Sequence, residues 1–336
     1  MQAYRLEQFG SLDHLVLHTE ETPQPGPGEV LVRVHASALN YRDLALLRGQ
    51  YPMSHRAGLV PMSDSAGEVV AVGEGVSRFT VGDRVANIFF PRWFGGRFPV
   101  TAMGEQYGSD LDGWLTEYKT VSQETLVQIP SHLSFEAAAT LPCAAVTAWS
   151  ALSGPTPVCA GDTVLTLGTG GVSLFAIQLA KLRGAHVIAT TSTGEKAERL
   201  AELGADHIVN YQEIPNWSDP VRELTDGRGV DRVVEVGGPG TLEQSLRAVA
   251  VGSEVTLIGF VAPGPTEIPF QSLFMSGATL RRIGVGSRDD FENMNRAIAQ
   301  HRLQPVIGRI EPFDRAREAW EYFGNQRPFG KVVIRH

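Results

Sequence analysis

Hydrophobic positions in the middle of the chain follow two alternating patterns. Short apolar runs, typical of buried parallel strands, are separated by stretches in which apolar residues recur at helical spacing. The runs predicted as strands are Val164–Leu167, Ala185–Thr191, His207–Asn210, Asp231–Val236, Glu254–Phe260 and Leu280–Gly286. Strands that alternate with helices in this way predict an α/β domain with a parallel, doubly wound sheet.

A glycine-rich turn follows the first of these strands. It consists of Gly168, Thr169, Gly170 and Gly171, and an apolar helical pattern begins at Val172. Gly168 permits a tight turn, Gly170 lets the backbone approach a pyrophosphate, and the helix N-terminus offers N–H groups to the anion. Ser173, a small residue, replaces the third glycine of the G-x-G-x-x-G pattern. The turn predicts dinucleotide binding, with an ordinary β–α turn as the alternative.

The first third of the chain has shorter runs with alternating apolar positions. They are Leu15–His18, Val30–Ala36, Ala66–Val72 and Arg84–Ile88, separated by turn residues such as PQPGPG. This spacing predicts a compact, β-barrel-like domain. Residues Phe89–Asp112 are aromatic, glycine-rich and aperiodic, and we expect a long functional or mobile loop there.

Composition narrows the function classes. A chain of 336 residues has room for two domains, and a net charge of −8 disfavours nucleic acid and anionic membranes as partners. Cys143 and Cys159 are too few for a disulfide framework, which indicates a reducing compartment. Because we find neither a signal peptide nor an apolar run long enough for a membrane span, we expect a cytoplasmic protein.

Several motifs, in order, resemble the medium-chain dehydrogenase/reductase superfamily. They are PGPGEVLVRVHASALNYRDL, AGEVVAVGEGVSRFTVGDRV, VLTLGTGGVSLFAIQLAK and LGADHIVNY, and they are most similar to its zinc-free quinone oxidoreductase and enoyl reductase branch. The resemblance covers nearly all of the chain. It implies a GroES-like catalytic domain at residues 1–128 and 288–336, a Rossmann domain at residues 129–287, and a homodimer in which the last strand pairs with its twin.

The resemblance also locates the positions at which zinc-dependent relatives bind their metal. Those relatives use a Cys, a His–Glu pair and a further Cys or acid, and the matching positions here are Asn40, Ser63 with Asp64, and Cys143. A catalytic zinc needs three protein ligands, so we expect no metal. Asp64 is expected to hold a structural hydrogen bond, and Cys143 to be a small buried residue near the cleft.

The end of the second strand indicates which dinucleotide is bound. An NAD-selective unit carries an acidic residue there, whereas this strand ends in Thr191 and Ser192. The resemblance implies that Ser192 and Lys196, joined by Tyr211, hold the 2′-phosphate of NADPH. The alternative for Lys196 is a solvated helix residue without a ligand. The neighbouring Glu195 carries a negative charge, which works against binding of a phosphate.

Without a metal, a substrate carbonyl must be polarised by hydrogen-bond donors. This suits conjugate reduction, in which the donor stabilises an enolate oxygen and an acid completes protonation. The resemblance implies that Tyr51 is the proton donor and that Asn40 lines the catalytic cleft. A packing role is the alternative for Tyr51.

The remaining cofactor contacts also follow from strand ends and from the resemblance. They are Tyr41, Arg42, Thr147, Gly237, Gly259, Phe260, Val285 and Lys331. In the long loop, Phe90, Arg92, Trp93 and Phe94 are expected either to form a wall for a bulky apolar substrate or to pack within the loop.

These observations predict a zinc-independent, NADPH-dependent oxidoreductase acting on quinones or α,β-unsaturated carbonyl compounds. An NADP-dependent alcohol dehydrogenase or ketone reductase is the nearest alternative. A non-catalytic NADPH-binding protein with a structural or regulatory role is another, because fold membership does not fix a reaction.

Overall fold

The computed structural model describes residues 1–52, 55–265, 267–326 and 328–336. In chain order, the strands are β1 (Gln2–Leu6), β2 (Leu15–Thr19), β3 (Glu29–Ala38), β4 (Asp64–Val72), β5 (Arg84–Asn87), β6 (Tyr118–Ser122), β7 (Leu126–Gln128), β8 (Thr163–Leu167), β9 (His186–Thr191), β10 (His207–Asn210), β11 (Val230–Glu235), β12 (Val249–Leu257), β13 (Thr279–Arg282), β14 (Ile307–Pro312) and β15 (Lys331–Arg335).

The helices lie between and after these strands. They are α1 (Tyr41–Leu47), α2 (Phe135–Ala138), α3 (Val146–Leu152), α4 (Gly171–Leu182), α5 (Gly194–Glu202), α6 (Ser218–Glu223), α7 (Leu242–Ala248), α8 (Phe270–Ser276), α9 (Arg288–His301) and α10 (Ala316–Gln326). A π-helical turn covers Leu141–Ala145, and short 3-10 turns lie at Leu12–His14, Val100–Ala102, Gln123–Thr125 and Phe313–Arg315. None of the helices in the described part of the chain is long and apolar enough to cross a membrane.

The chain forms two compact units. The first comprises Met1–Val146 and Gly286–His336, and the second comprises Thr147–Val285. The predicted boundaries differ from these mainly at the first junction, because α2 packs against β3 and β4 and so keeps residues 129–146 in the first unit.

The first unit is built on a seven-stranded sheet. Its strand order is β14-β15-β3-β4-β5-β7, with β6 paired to β3, and all pairs are antiparallel except β14 with β15. Alternate residues of β3, Val30, Val32 and Val34, lie in a core with Val69 and Trp114. Burial of every second residue is the alternating pattern from which the sequence predicted β-strands in this part of the chain.

The second unit is a six-stranded parallel sheet. Its order is β10-β9-β8-β11-β12-β13. Successive strands are added on one side of β8 up to β10 and on its other side from β11 onwards, so the topological switch point lies between β8 and β11. The sheet interior is apolar, with Val164, Leu165, Ile188, Val233 and Val255 fully or almost fully buried. The predicted doubly wound sheet is therefore confirmed, and a ligand crevice is expected at the carboxyl ends of β8 and β11.

The last strand of this sheet is shorter than predicted. We expected a strand over Leu280–Gly286, but β13 ends at Arg282. Val285 has a φ of 62°, in the left-handed region, and an extended strand cannot continue through that conformation. The prediction was wrong at this end because a run of apolar residues does not reveal backbone handedness.

Candidate functional site

The glycine turn after β8 is open to a ligand. Gly168 has a φ of 71°, and Gly170 is the N-cap of α4 in an extended conformation. Apart from its chain neighbours, a Cβ atom added to either residue would meet no atom of the described residues within 4 Å. Because the first N–H groups of a helix lack intrahelical acceptors, the start of α4, with Gly171 and Val172, can donate to an anion in this space.

Ser173 explains the departure from the three-glycine pattern. Its hydroxyl donates to the Leu167 carbonyl oxygen at 2.6 Å, and the residue is buried. The serine therefore ties the start of α4 to the end of β8. Thr169, between the two glycines, is also buried, and the Gly168 N–H donates to the Thr190 carbonyl oxygen at 3.0 Å.

The ends of β9 and β10 bring together the residues predicted to hold a 2′-phosphate. Asn210 lies opposite Thr191, and the Tyr211 N–H donates to the Thr191 carbonyl oxygen at 2.9 Å. Ser192 follows directly on β9. The Thr193 hydroxyl caps α5 by accepting from the Lys196 N–H at 3.3 Å, which places Lys196 in the first turn of that helix.

The glycines after β11 and β12 lie where the backbone is closely packed. A Cβ atom on Gly259 would lie 2.3 Å from the Val236 carbonyl oxygen, and one on Gly237 would lie 2.2 Å from the Thr241 hydroxyl. The Ala262 N–H also donates to the Gly237 carbonyl oxygen at 2.8 Å. These glycines allow the two loops to pack against each other. Phe260, between them, remains 42% exposed.

A buried carboxylate organises the loop after β11. Glu235 is 0% exposed and accepts from the Gly237 N–H at 2.7 Å and from the Gly238 N–H at 2.9 Å. The hydroxyls of Thr241 and Ser245 donate to the same carboxylate. Sequence reasoning missed this residue, although an acidic side chain within the apolar run DRVVEV was the available signal.

Two further predicted contacts lie at the margins of the second unit. Thr147 is buried on α3, and Val285 is buried in the irregular segment after β13. The open turn after β8 and the strand ends after β9 and β10 therefore form the candidate dinucleotide site, and the later loops support it.

In the first unit, Asn40 lies at the centre of a buried polar cluster. It precedes α1, is 8% exposed, and its backbone N–H donates to Asp43 Oδ2 at 2.8 Å. Its side-chain Oδ1 accepts from Lys331 Nζ at 2.5 Å, and its Nδ2 lies 3.4 Å from the Ser63 hydroxyl. Both ends of the amide are thus engaged.

Lys331 has different partners from those predicted. It is 3% exposed, and Nζ also donates to the Leu39 carbonyl oxygen at 2.7 Å and lies 4.0 Å from Asp64 Oδ2. The pairing of β15 with β3 brings it there, since the Leu39 N–H donates to the Val332 carbonyl oxygen. Its described contacts are therefore an interior ion pair and an amide contact, and the cofactor contact stays a prediction.

The residues at the metal positions of zinc-dependent relatives do not fit a zinc ion. Asp64 is fully buried and accepts from the Ser63 hydroxyl at 2.7 Å and from the Cys143 N–H at 3.0 Å, as a structural hydrogen-bond acceptor. Burial raises the pKa of the Cys143 thiol, which disfavours the thiolate that a metal needs. Asn40 Oδ1 already binds an ammonium group. Within the described ranges, no group of three or more His, Cys, Asp and Glu residues could hold a metal.

The start of α1 connects this cluster to Tyr51. The Tyr51 hydroxyl donates to Gln106 Oε1 at 2.8 Å and lies 3.5 Å from Arg42 Nε, and the Arg42 guanidinium lies 5.0 Å from the centre of the Tyr51 ring. Arg42 Nη1 is 3.4 Å from Asp43 Oδ1. Burial raises the pKa of Asp43 to about 6. Tyr51, Arg42, Asp43 and Asn40 therefore form one continuous polar chain.

Arg42 and Tyr41 differ in their surroundings. Arg42, predicted as a cofactor contact, is 7% exposed and donates to the Tyr107 carbonyl oxygen at 3.0 Å, so its described partners belong to the interior of the first unit. Tyr41, the first residue of α1, is half-buried.

The aromatic residues of the loop after β5 pack on one another. The Phe90 ring makes edge contacts with Phe89, Trp93 and Phe98, at centroid distances of 4.8, 6.1 and 5.0 Å. Arg92 pairs with Glu105 at 2.8 Å, and Phe94 lies beneath the Arg288 guanidinium. Of the two predicted roles, these contacts support packing within the loop.

Comparisons with known proteins agree with this architecture. The family model "Alcohol dehydrogenase GroES-like domain" matches residues 26–131, and "Zinc-binding dehydrogenase" matches residues 171–300. A zinc-type alcohol dehydrogenase-like protein of Schizosaccharomyces pombe is 42% identical over 98% of this chain and 97% of its own. The quinone oxidoreductase of Sus scrofa is 29% identical over 99% of this chain and 97% of its own.

Solved structures share the complete fold. A Sinorhizobium meliloti protein named as an alcohol dehydrogenase superposes with a TM-score of 0.93 at 37% identity, covering 100% of this chain and 98% of its own. An NAD-dependent alcohol dehydrogenase gives a TM-score of 0.91 at 33% identity, with 100% coverage of both chains. A mycobacterial protein complexed with NADPH gives 0.83 at 30% identity, again with 100% coverage of both.

Proposed function

The chain belongs to the medium-chain dehydrogenase/reductase superfamily of oxidoreductases, and from this premise we propose that it is a zinc-independent, NADPH-dependent reductase of quinones or α,β-unsaturated carbonyl compounds. The observation that carries the proposal is the buried contact of Lys331 with Asn40 and Asp64. Asn40 and Asp64 stand at positions that match the metal site of zinc-dependent relatives, and here a side-chain cation lies beside both of them. Polarisation of the substrate then falls to neutral hydrogen-bond donors.

The turn after β8 fits a dinucleotide. The open space beside Gly168 and Gly170 admits a pyrophosphate, and the N-terminus of α4 supplies N–H groups to it. At the end of β9, Ser192 offers a hydroxyl and Lys196 offers a positive charge, where an NAD-selective unit has a carboxylate. The Thr191 hydroxyl is buried there. A mycobacterial relative with the same fold was solved in complex with NADPH, whereas another relative is an NAD-dependent enzyme, so the preference proposed here rests on these side chains.

The first unit can stabilise the charge that conjugate reduction creates. When bound, NADPH supplies a hydride to the β-carbon of the substrate. Asn40 Nδ2 donates to the carbonyl oxygen as negative charge develops on it. Tyr51 supplies the proton that completes reduction, and the Arg42 guanidinium beside its hydroxyl offsets the charge left on the phenol oxygen.

A second candidate is alcohol oxidation or ketone reduction with a side-chain acid. Two observations favour it: the 42% identical relative is named as alcohol dehydrogenase-like, and a structure with a TM-score of 0.91 is an alcohol dehydrogenase. The donor set at Asn40, Ser63 and Asp64 argues against it, because it does not fit the metal that activates an alcohol in the zinc-dependent members.

We also propose a homodimer formed through the second unit. Among the described residues, β13 is an edge strand of the parallel sheet, so one side of it can pair with a strand of a second copy. Near it in the chain, large apolar side chains are exposed: Phe270 by 77%, Phe274 by 71%, Met275 by 70%, and Val251 on β12 by 77%. Exposed apolar clusters of this kind are typical of protein interfaces.

The test is NADPH oxidation by metal-analysed protein with a panel of quinones, enones and enoyl thioesters, alongside simple alcohols with NADP⁺. We expect turnover of one conjugated class, unchanged after dialysis against a chelator. Turnover of alcohols alone, or loss of activity that added zinc restores, would overturn the proposal. Tight NADPH binding without turnover of any substrate would favour a non-catalytic role.

A further inference from the structure

A buried cation, the Lys331 ammonium, binds the oxygen end of the Asn40 amide. We propose that Lys331 is a positioning residue for substrate reduction, holding Asn40 so that an N–H of Nδ2 faces the substrate oxygen. This inference rests on the proposed function of the site. It assigns to Lys331 a role in the reaction that does not require contact with substrate or cofactor.

An ammonium group can bind only one end of an amide. Lys carries three hydrogen-bond donors and no acceptor, so the atom 2.5 Å from Nζ must be the amide oxygen, Oδ1. The amide nitrogen is thereby turned to the opposite side. Without Lys331, the amide could rotate and present Oδ1 to the substrate, where it would repel a developing enolate.

Ser63 fixes the same orientation from the other side. Its hydroxyl donates to Asp64 Oδ1 at 2.7 Å, so its oxygen can only accept from Asn40, and Nδ2 lies 3.4 Å from it. The amide is therefore held at both ends. The second N–H of Nδ2 has no acceptor within the described residues, and it is the group left for a substrate oxygen.

Burial of the Lys331 ammonium group costs desolvation free energy, which indicates a functional role for this side chain. A Lys that is 3% exposed is rare and must be paired, and here Asp64 Oδ2, at 4.0 Å, is the nearest carboxylate oxygen. Direct bonds instead go to neutral oxygens, those of Leu39 and Asn40. The ammonium group therefore orients the turn that carries Asn40, and it also offsets the charge of the Asp64 carboxylate.

The decisive experiment is a double-mutant cycle with Lys331→Met and Asn40→Ala. We expect Lys331→Met to lower kcat by about 10- to 100-fold, the usual effect of losing a residue that orients a functional group. The Kd for NADPH should stay within about twofold of wild type, as for sites that do not interact. If Lys331 acts through Asn40, the double variant is no slower than Asn40→Ala alone. Losses that multiply, or a change in NADPH affinity alone, would overturn the inference.

A second variant covers the risk that Lys331→Met fails to fold. Lys331→Met combined with Asp64→Asn removes both buried charges, so no unpaired carboxylate remains. We expect it to fold and to show the same loss of kcat. Wild-type kcat in this variant would show that Lys331 serves charge balance only.

A readout without turnover separates this inference from the proposed function. In protein labelled with ¹⁵N-asparagine, the Asn40 side-chain amide signal is identified by its loss in Asn40→Ala. We expect that signal to shift in Lys331→Met and to stay in place in the control Lys119→Met. An unmoved Asn40 signal in folded Lys331→Met would overturn the inference. An inactive wild type whose signal still shifts would overturn only the proposed reaction.

Discussion

The hydroxyl of Tyr51 lies between a hydrogen-bond acceptor on Gln106 and a hydrogen-bond donor on Arg42. It donates a hydrogen bond to Gln106, a fully buried side chain, while Arg42 Nε approaches its oxygen at 3.5 Å. A residue held only by packing needs neither contact. The arrangement keeps the phenol fixed and places a positive charge where a phenolate would form.

Tyr51→Phe tests the proton-donor role. We expect kcat to fall by about 100-fold or more, the usual contribution of a general acid, while the Kd for NADPH is unchanged. Steady-state kinetics and cofactor fluorescence measure both. Tyr322→Phe on α10, whose ring lies under Arg309, is the matched control and retains wild-type kcat. Equal rates for the wild type and Tyr51→Phe would assign Tyr51 to packing.

Lys196 is the side chain on which the cofactor preference depends. Lys196→Ala is expected to weaken NADPH binding roughly tenfold, the value of a hydrogen bond to a charged group, and to leave NADH binding unchanged. Titration calorimetry with both cofactors measures the difference. Lys181→Ala, which removes a surface pair with Asp206 on the same unit, is the control. Equal wild-type affinities for NADPH and NADH would refute the preference.

At the scale of elements, the loop between β11 and α7 depends on one buried side chain. Glu235 accepts from backbone N–H groups and hydroxyls of that loop, which would otherwise be buried without partners. Glu235→Gln replaces one accepting oxygen by a donor. We expect the free energy of unfolding to fall by about 2 kcal/mol or more, the cost of unpaired buried donors.

Urea unfolding measures this loss, and Glu243→Gln supplies its control. Glu243 lies on α7 with an exposed partner, Arg247, so its change should stay within about 0.5 kcal/mol of wild type. Similar losses in the two variants would mean that Glu235 does not organise the loop.

Strand β6 carries Lys119, whose titration should change the free energy of unfolding with pH. The Lys119 ammonium donates to the carbonyl oxygens of Asp112 and Gly113 and lies over the rings of Tyr107 and Trp114. Burial lowers its pKa from 10.5 to about 8. Between these values the unfolded chain binds a proton that the folded chain lacks, so this contribution to stability rises with pH.

Lys119→Met should remove that rise. Urea unfolding at a series of pH values from about 8 to about 10.5 compares the variant with the wild type over the window that this pKa shift defines. Lys181→Met, at an exposed ion pair, should keep the wild-type slope. The same slope in wild type and Lys119→Met would contradict the assigned titration.

At the scale of the whole molecule, the exposed apolar side chains of α8 set the expected assembly. Phe270 and Phe274 stack at a centroid distance of 6.0 Å on the surface of the second unit. Phe274→Glu places a charge in that surface and should convert a dimer of the 36.4 kDa chain into single chains. Sedimentation measures the mass.

Val81→Glu, at an exposed position of the first unit, is the control for this substitution and should remain dimeric. A wild type that sediments as a single chain would remove the dimer proposal. It would leave the proposed chemistry intact, because every residue assigned to it belongs to one chain.

Sequence alone determined much of this protein. The alternation of apolar runs and helical patterns predicted the parallel sheet. The glycine pattern predicted a tight turn at Gly168 and room for a pyrophosphate at Gly170. Both predictions were possible because these features depend on residues close together in the chain. The family followed from motifs spread over nearly the full length, and the family matches confirm the predicted GroES-like and Rossmann pairing.

Only the tertiary structure decided the partners of buried polar groups. Asn40 and Lys331 are 291 residues apart, and the pairing of β15 with β3 brings them together. No local pattern encodes such a contact, nor the left-handed backbone at Val285. Burial forces each polar group to find a partner, and the fold determines which one is within reach.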